Sequence, residues 1–154
     1  MPHTIFRSAL RELARCYQAF EVYASSHIHL QGLTISQFDI LVTLGNGQNM
    51  TPKELVEKTL ITKGTLTGVI DRLQTKGLVK RTPSALDGRS QIITLTKKGQ
   101  TLFEQIFPEH LAYMGKAFEH LETKEISHIE EALSTLRHAF ENKNPKKEKN
   151  HESR

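Results

Sequence analysis

The apolar positions of this chain recur in three rhythms, and each predicts a different kind of element. Over residues 5 to about 28, Phe6, Leu10, Leu13, Tyr17, Phe20 and Ala24 return every three or four positions with arginines between them, which predicts a long amphipathic helix ended by Gly32. Thr34 and Gln37 form a capping box ahead of Phe38, Leu41 and Leu44, so a second helix starts there, and Gly45 and Gly47 are expected to close it. "MTPKELVEKTL" predicts a short third helix, 51–60, with Thr51 as N-cap, Pro52 at the first position and Glu54 as box partner. A tight turn leads to "TKGTLTGVIDRLQTKG", a helix over 62–75 that buries Leu66, Val69, Ile70 and Leu73 at i, i+3, i+4 and i+7.

The rhythm then shortens to two. "LVKRTP" reads as a short basic strand, "SALDG" as a turn, and "RSQIITLT" as the returning strand with Ile93 and Leu95 on one face. Thr96 is placed to cap a helix of roughly 97–121, whose apolar positions include Phe103, Phe107, Leu111, Met114, Phe118 and Leu121 and which Pro108 should kink. The third rhythm is a strict 3-4-3-4 spacing after Thr123: Ile126, Ile129, Leu133, Leu136 and Phe140 form the narrow seam of paired helices. "ENKNPKKEKNHESR" has no apolar side chain, and residues 143–154 are expected to form a disordered polar tail.

Taken together the elements predict a mainly α protein with a small β-hairpin. The outer face of the fourth helix changes what that protein is for. Lys63, Gly64, Thr67, Gly68 and Asp71 make it small and polar, although each glycine costs a helix about 1 kcal/mol relative to alanine. Close approach to another surface would favour such residues. Charge points the same way: the chain carries a formal +4, yet residues 50–99 hold ten basic residues against four acidic ones, a local +6 that leaves −2 for the remainder. A basic centre between neutral-to-acidic helices is the footprint of phosphate contact. Helix, short turn, helix, hairpin is the order of a helix-turn-helix with a β-wing, whose second helix enters a major groove. Thr62, Lys63, Thr65 and Thr67 then face base edges, Arg72, Lys80 and Arg81 belong to the same DNA-facing surface, and Arg89 at the wing tip reaches a minor groove.

The length of 154 residues suits one domain, or one compact unit shared with a partner chain. A hydrophobic share of 37% is low for a self-sufficient globule, in keeping with surface buried between subunits. One cysteine, Cys16, excludes an intrachain disulfide, and the arginines of the first helix interrupt any signal-peptide core. No apolar run approaches membrane-spanning length, so a soluble cytoplasmic protein is expected.

"LTISQFDILVTL", "TKGTLTGVIDRLQTKGLVKR" and "LDGRSQIITLTKKG" together resemble the MarR (multiple antibiotic resistance regulator) family, the last matching its wing signature of aspartate, one residue, arginine, strand, Leu-Thr and glycine. The resemblance covers roughly residues 5–142. It implies a winged helix-turn-helix over 33–99, with the helices of 4–32 and 100–142 forming a dimerisation domain through Leu10, Leu13, Ile126, Ile129, Leu133, Leu136 and Phe140. It further implies a homodimer on a palindromic operator in double-stranded DNA, usually repressing, and released by a small aromatic anion, an oxidant or occasionally a metal. In the family the arginine matching Arg89 contacts DNA while the aspartate matching Asp87 braces the wing, with a basic neighbour such as Arg81 as its expected partner.

Other constellations carry bland readings beside sharp ones. Cys16 sits near where the peroxide-sensing branch keeps its reactive cysteine, but a buried inert thiol is the expectation, with redox sensing the alternative. His27, His29 and His110 resemble a zinc inventory, yet a His-x-His pair at a helix end points its rings apart, so surface or interface histidines are expected and no metal or other cofactor. Tyr17, Phe20, Tyr23 and Phe38 either line a pocket for an aromatic acid or pack as plain core. No nucleophile elbow, paired-carboxylate motif or phosphate-cradling glycine loop stands out, so no enzyme is expected. A winged helix serving protein–protein contact is the remaining alternative; it gives Arg89 and the +6 concentration no task.

Overall fold

The computed structural model describes residues 4–47 and 49–143, so the expected tail lies, but for Lys143, outside the described residues. Six helices and one hairpin follow each other as α1 (Ile5–Leu30), α2 (Ile35–Asn46), α3 (Pro52–Lys58), α4 (Lys63–Thr75), β1 (Val79–Pro83), β2 (Gln91–Leu95), α5 (Lys97–Gly115) and α6 (Thr123–Asn142). The mainly helical architecture with a β-hairpin is the one expected. Both capping boxes form: the Thr34 hydroxyl accepts from the Gln37 amide, and the Thr51 hydroxyl accepts from the Glu54 amide. Gly32 supplies the left-handed turn after α1, with φ of 70°. The helix expected to run to 121 ends at Gly115 and tightens into a 3-10 turn, Lys116–Phe118.

The chain divides into two compact units, one ending at Tyr113 and one starting at Met114. In the first, Ile40 and Leu41 of α2, Leu55 of α3, Ile70 and Leu73 of α4, Ile93 of β2 and Ile106 of α5 are fully buried. Each contributes on the order of 1.5–3 kcal/mol by leaving water. Two features of this core were not legible as patterns. Gly45 does not close α2 but lies inside it, where the Phe103 ring packs in the space a Cβ would occupy. Gly99 lets the first turn of α5 meet the backbone of Leu78, where a Cβ would come within 2.0 Å of the carbonyl oxygen. In the second unit none of the α6 side chains is buried.

β1 and β2 pair antiparallel, with Val79 opposite Leu95 and Arg81 opposite Ile93. Met50 adds a one-residue third rung: its amide donates to the Ile93 carbonyl at 3.1 Å and its carbonyl accepts from the Ile93 amide at 2.7 Å. The hairpin is therefore tied to the segment before α3 as well as to α4.

Candidate nucleic-acid interface

The buried stripe of α4 faces the core, so the opposite side points outward with Lys63, Gly64, Thr65, Thr67 and Gly68 all exposed. A Cβ added at Gly64 or Gly68 would meet no described atom within 4 Å, so none of the described residues requires glycine at either position. Thr62 precedes the helix in an extended conformation and its hydroxyl donates to that of Thr65 at 3.2 Å. At the other end Gly77, with φ of 73°, lets the Leu78 amide return to the Leu73 carbonyl at 3.0 Å, a Schellman-type stop that launches β1.

The wing is braced at its root and at its tip by different residues. At the root the Arg81 guanidinium pairs with Asp71 at 2.5 Å and also donates to Gln74, clipping β1 to the last turns of α4. At the tip the Ser84 amide donates to the Ser90 carbonyl at 2.8 Å, and the Asp87 carboxylate accepts from the Arg89 amide at 3.0 Å. The expected pairing of Asp87 with Arg81 is therefore corrected: Arg81 sits within β1, two residues before its end, and its partners lie on α4. Asp87 instead folds the turn that presents Arg89, which is exposed like Arg72 and Lys80. Not every cation of the basic segment faces outward without work: Lys76 donates to the Gly32 carbonyl and to Gln37, and Lys98 donates to the Lys76 carbonyl.

Behind this surface lies a cavity of about 430 Å³, within the range of small-molecule sites. Tyr17, Phe20, Ala24 and Phe38 contribute apolar wall, and Thr62 and Thr65 at the start of α4 also line it. Tyr23 is not on the cavity; it stacks on Tyr113 at 4.4 Å and its hydroxyl donates to the Tyr113 carbonyl, holding α1 to α5. Glu21, Asp39 and Lys58 are the charged groups of the lining. Asp39 accepts the Leu60 amide at 3.3 Å, so it also braces the turn between α3 and α4; burial pushes its carboxyl up, against the opposing pull of that hydrogen bond. The Tyr17 hydroxyl is likewise raised, chiefly by its hydrogen bond to Glu21.

The histidines depart from the sequence reading. His110 is buried, not at a surface, and its Nδ1 meets Nδ1 of half-buried His27 at 3.1 Å. His29 is exposed and takes no part in that contact. Among the described residues no group of three or more His, Cys, Asp or Glu is placed to hold a metal ion. His110 is held below the ordinary imidazole value by burial first and by His27 second. Cys16 is exposed rather than buried, because α1 buries only Ala24 and Ile28 and leaves its first turns uncovered. Leu10, Ile126, Ile129, Leu133 and Phe140 are exposed, and Leu13 and Leu136 half-buried. Asp39, Gln74 and Glu21 were missed from sequence: each is a single polar residue whose partner lies on another element, which no local spacing signals.

A family profile described as MarR family matches residues 31–90. The HTH-type transcriptional regulator MhqR of Bacillus subtilis is 31% identical over 124 residues, covering 80% of this chain and 86% of that protein. Among solved structures, BpsR of Bordetella bronchiseptica, described for the regulation of its DNA binding by 6-hydroxynicotinic acid, is 26% identical with a TM-score of 0.79, covering 89% of this chain and 98% of that one. A mutant MarR from E. coli complexed with operator DNA is 25% identical with a TM-score of 0.75, covering 82% and 91%. The chain belongs to the MarR family of winged-helix transcriptional regulators: it is a DNA-binding protein and not an enzyme. No helix among the described residues is long and apolar enough to cross a membrane.

Proposed function

We propose that the protein is a cytoplasmic repressor that binds a palindromic operator as a homodimer and lets go when a small aromatic or phenolic ligand enters the cavity. The observation that carries the DNA geometry is the outer face of α4, where Gly64 and Gly68 have open space and the residues beside them, Lys63, Thr65 and Thr67, are polar and exposed. Thr62, Lys63, Thr65 and Thr67 read base edges in the major groove, and Arg72 and Lys80 contact phosphates. Arg81 sets the wing against α4, and Arg89, presented by Asp87, enters the adjacent minor groove.

Residues 33–99 form the DNA-binding part in this reading, and the helices of 4–32 and 100–142 join two copies through Leu10, Leu13 and the α6 seam. Two recognition helices one helical turn apart, ~34 Å, tolerate little change in spacing. Ligand release is supported by the position of the cavity, whose lining includes both the α1 aromatics and the first turn of α4. A coupling of only about 1–3 kcal/mol suffices to empty an operator. BpsR, whose DNA binding is described as regulated by an aromatic acid, shares the fold at 26% identity. The test is a gel shift of the purified full chain on the DNA upstream of its own gene, against scrambled DNA of equal length. A discrete, competitor-resistant complex is expected; equal affinity for both DNAs would remove the operator reading.

A further inference from the structure

We propose that the His27–His110 pair is the acid-recognition element of the cavity, taking up one proton when an aromatic acid binds there as its anion. The proposal rests on the ligand-release reading and names the chemistry by which that site would choose its ligand.

With Nδ1 facing Nδ1 at 3.1 Å, one ring donates and the other accepts. In the neutral pair the donating ring has a bare Nε2. A proton added there turns the contact into a charge-assisted hydrogen bond without moving either ring. A second added proton would set two donors against each other, so the pair has room for one. The rings are fixed for this: Phe38 meets His110 edge-on at 4.6 Å, and Tyr113 stacks on His27 at 4.7 Å while its hydroxyl bonds to Ser26.

The charges around the pair give the proton a reason to bind. His110 lines the cavity together with Glu21 from α1, Asp39 from α2 and Lys58 from α3; the phenols of Tyr17, Tyr23 and Tyr113 are the other titratable neighbours. With both carboxylates ionised and the histidines neutral, two negative charges face one positive one, and the lining is −1. An entering anion meets net repulsion in a partly desolvated site, which one proton relieves. Asp39 is the competing acceptor: burial raises its carboxyl, and the Leu60 amide it accepts opposes that push without cancelling it, so the two sites must be separated by experiment. An imidazole also starts nearer to neutral pH than a carboxyl does. Burial and the neighbouring ring depress His110, and the negative charge of a bound anion acts in the opposite direction. An uncharged amide of the same shape brings no charge and calls for no proton.

Calorimetry on the full chain at pH 7 tests this, with benzoate, phenylacetate and 6-hydroxynicotinate beside their amides, in two buffers of different ionisation enthalpy. Uptake close to one proton per site is expected with an acid that binds and none with its amide, and acid affinity should rise up to about tenfold per pH unit on acidification. In His110→Gln the proton uptake and the pH slope of acid binding should disappear. Acid binding without uptake overturns the proposal, and so does uptake that survives His110→Gln but is lost in Asp39→Asn. If no acid or amide binds, the ligand-release reading fails and the proposal goes with it; binding without uptake strikes the proposal alone. Should His110→Gln not fold, the ring C–H resonances of wild-type His27 and His110 decide: both must shift toward the charged form when acid is added at pH 7, and unmoved signals overturn it.

Discussion

Thr65 and Thr67 on α4 are exposed, and so are Ile129, Leu133 and Phe140 on α6, yet the two faces are made of opposite materials. On α4 the core side is filled, by Leu66, Val69, Ile70 and Leu73, and the outer side has been cleared of bulk. On α6 nothing is buried and the apolar residues themselves are left uncovered at pairing distance along the helix. Exposure alone therefore says little; what is exposed names the partner. A small, polar, glycine-bearing face beside a basic wing suits a polyanion with readable edges. An apolar seam repeating every three and four residues suits another helix.

The largest effect is expected on the α6 side. Leu133→Lys with Leu136→Lys should convert the proposed homodimer to monomer or unfolded chain and abolish operator binding, read by sedimentation and gel shift. A stable monomer that still binds its operator breaks the contrast, because α6 would then be exposed without needing a partner.

Next comes the wing. Arg89→Ala should weaken operator binding by about 1–3 kcal/mol and lower the salt slope by about one unit, more on A·T-rich flanks than on G·C-rich ones. Melting should hardly change, since the tip contributes nothing to the core. Because Asp87 bonds the Arg89 amide, Asp87→Ala should lose most of its effect once Arg89 is gone. Losses that simply add would show that Asp87 does not act by placing Arg89.

The α4 face is sharpened by Gly68→Ala, which should move two measurements in opposite directions. With open space at that position the free protein should gain up to about 1 kcal/mol in stability. Operator binding should fall if, as proposed, the α4 backbone at Gly68 meets DNA, because the added methyl would stand between them. A gain in stability with unchanged binding would take Gly68 off the contact surface.

The smallest effect concerns pH and the interior rather than either face. His110 titrates below an ordinary histidine in the folded state, so as pH falls below the ordinary imidazole value the unfolded chain binds the proton first. Stability from this site is present at neutral pH and lost on acidification, and His110→Gln should flatten that part of a melting-temperature profile. Asp39, pushed up, acts with the opposite sign at lower pH, where its folded carboxyl stays protonated longer.

How much of this could be read beforehand differs between local and non-local features. The capping boxes of α2 and α3, the buried stripe of α4, the hairpin and the α6 seam are all periodicities or signals within four residues, and such signals depend on backbone geometry alone. The sequence by itself therefore determined the order of elements, the family and the candidate DNA-facing residues. Only the tertiary structure decided that Gly45 lies inside α2 under Phe103, that Arg81 answers to Asp71 and not Asp87, that Tyr23 stacks away from the cavity, and that His27 finds His110. Each of these is a contact made by packing one element on another. A side chain's partner across such an interface depends on how the elements cross, which the spacing of residues along one of them does not encode.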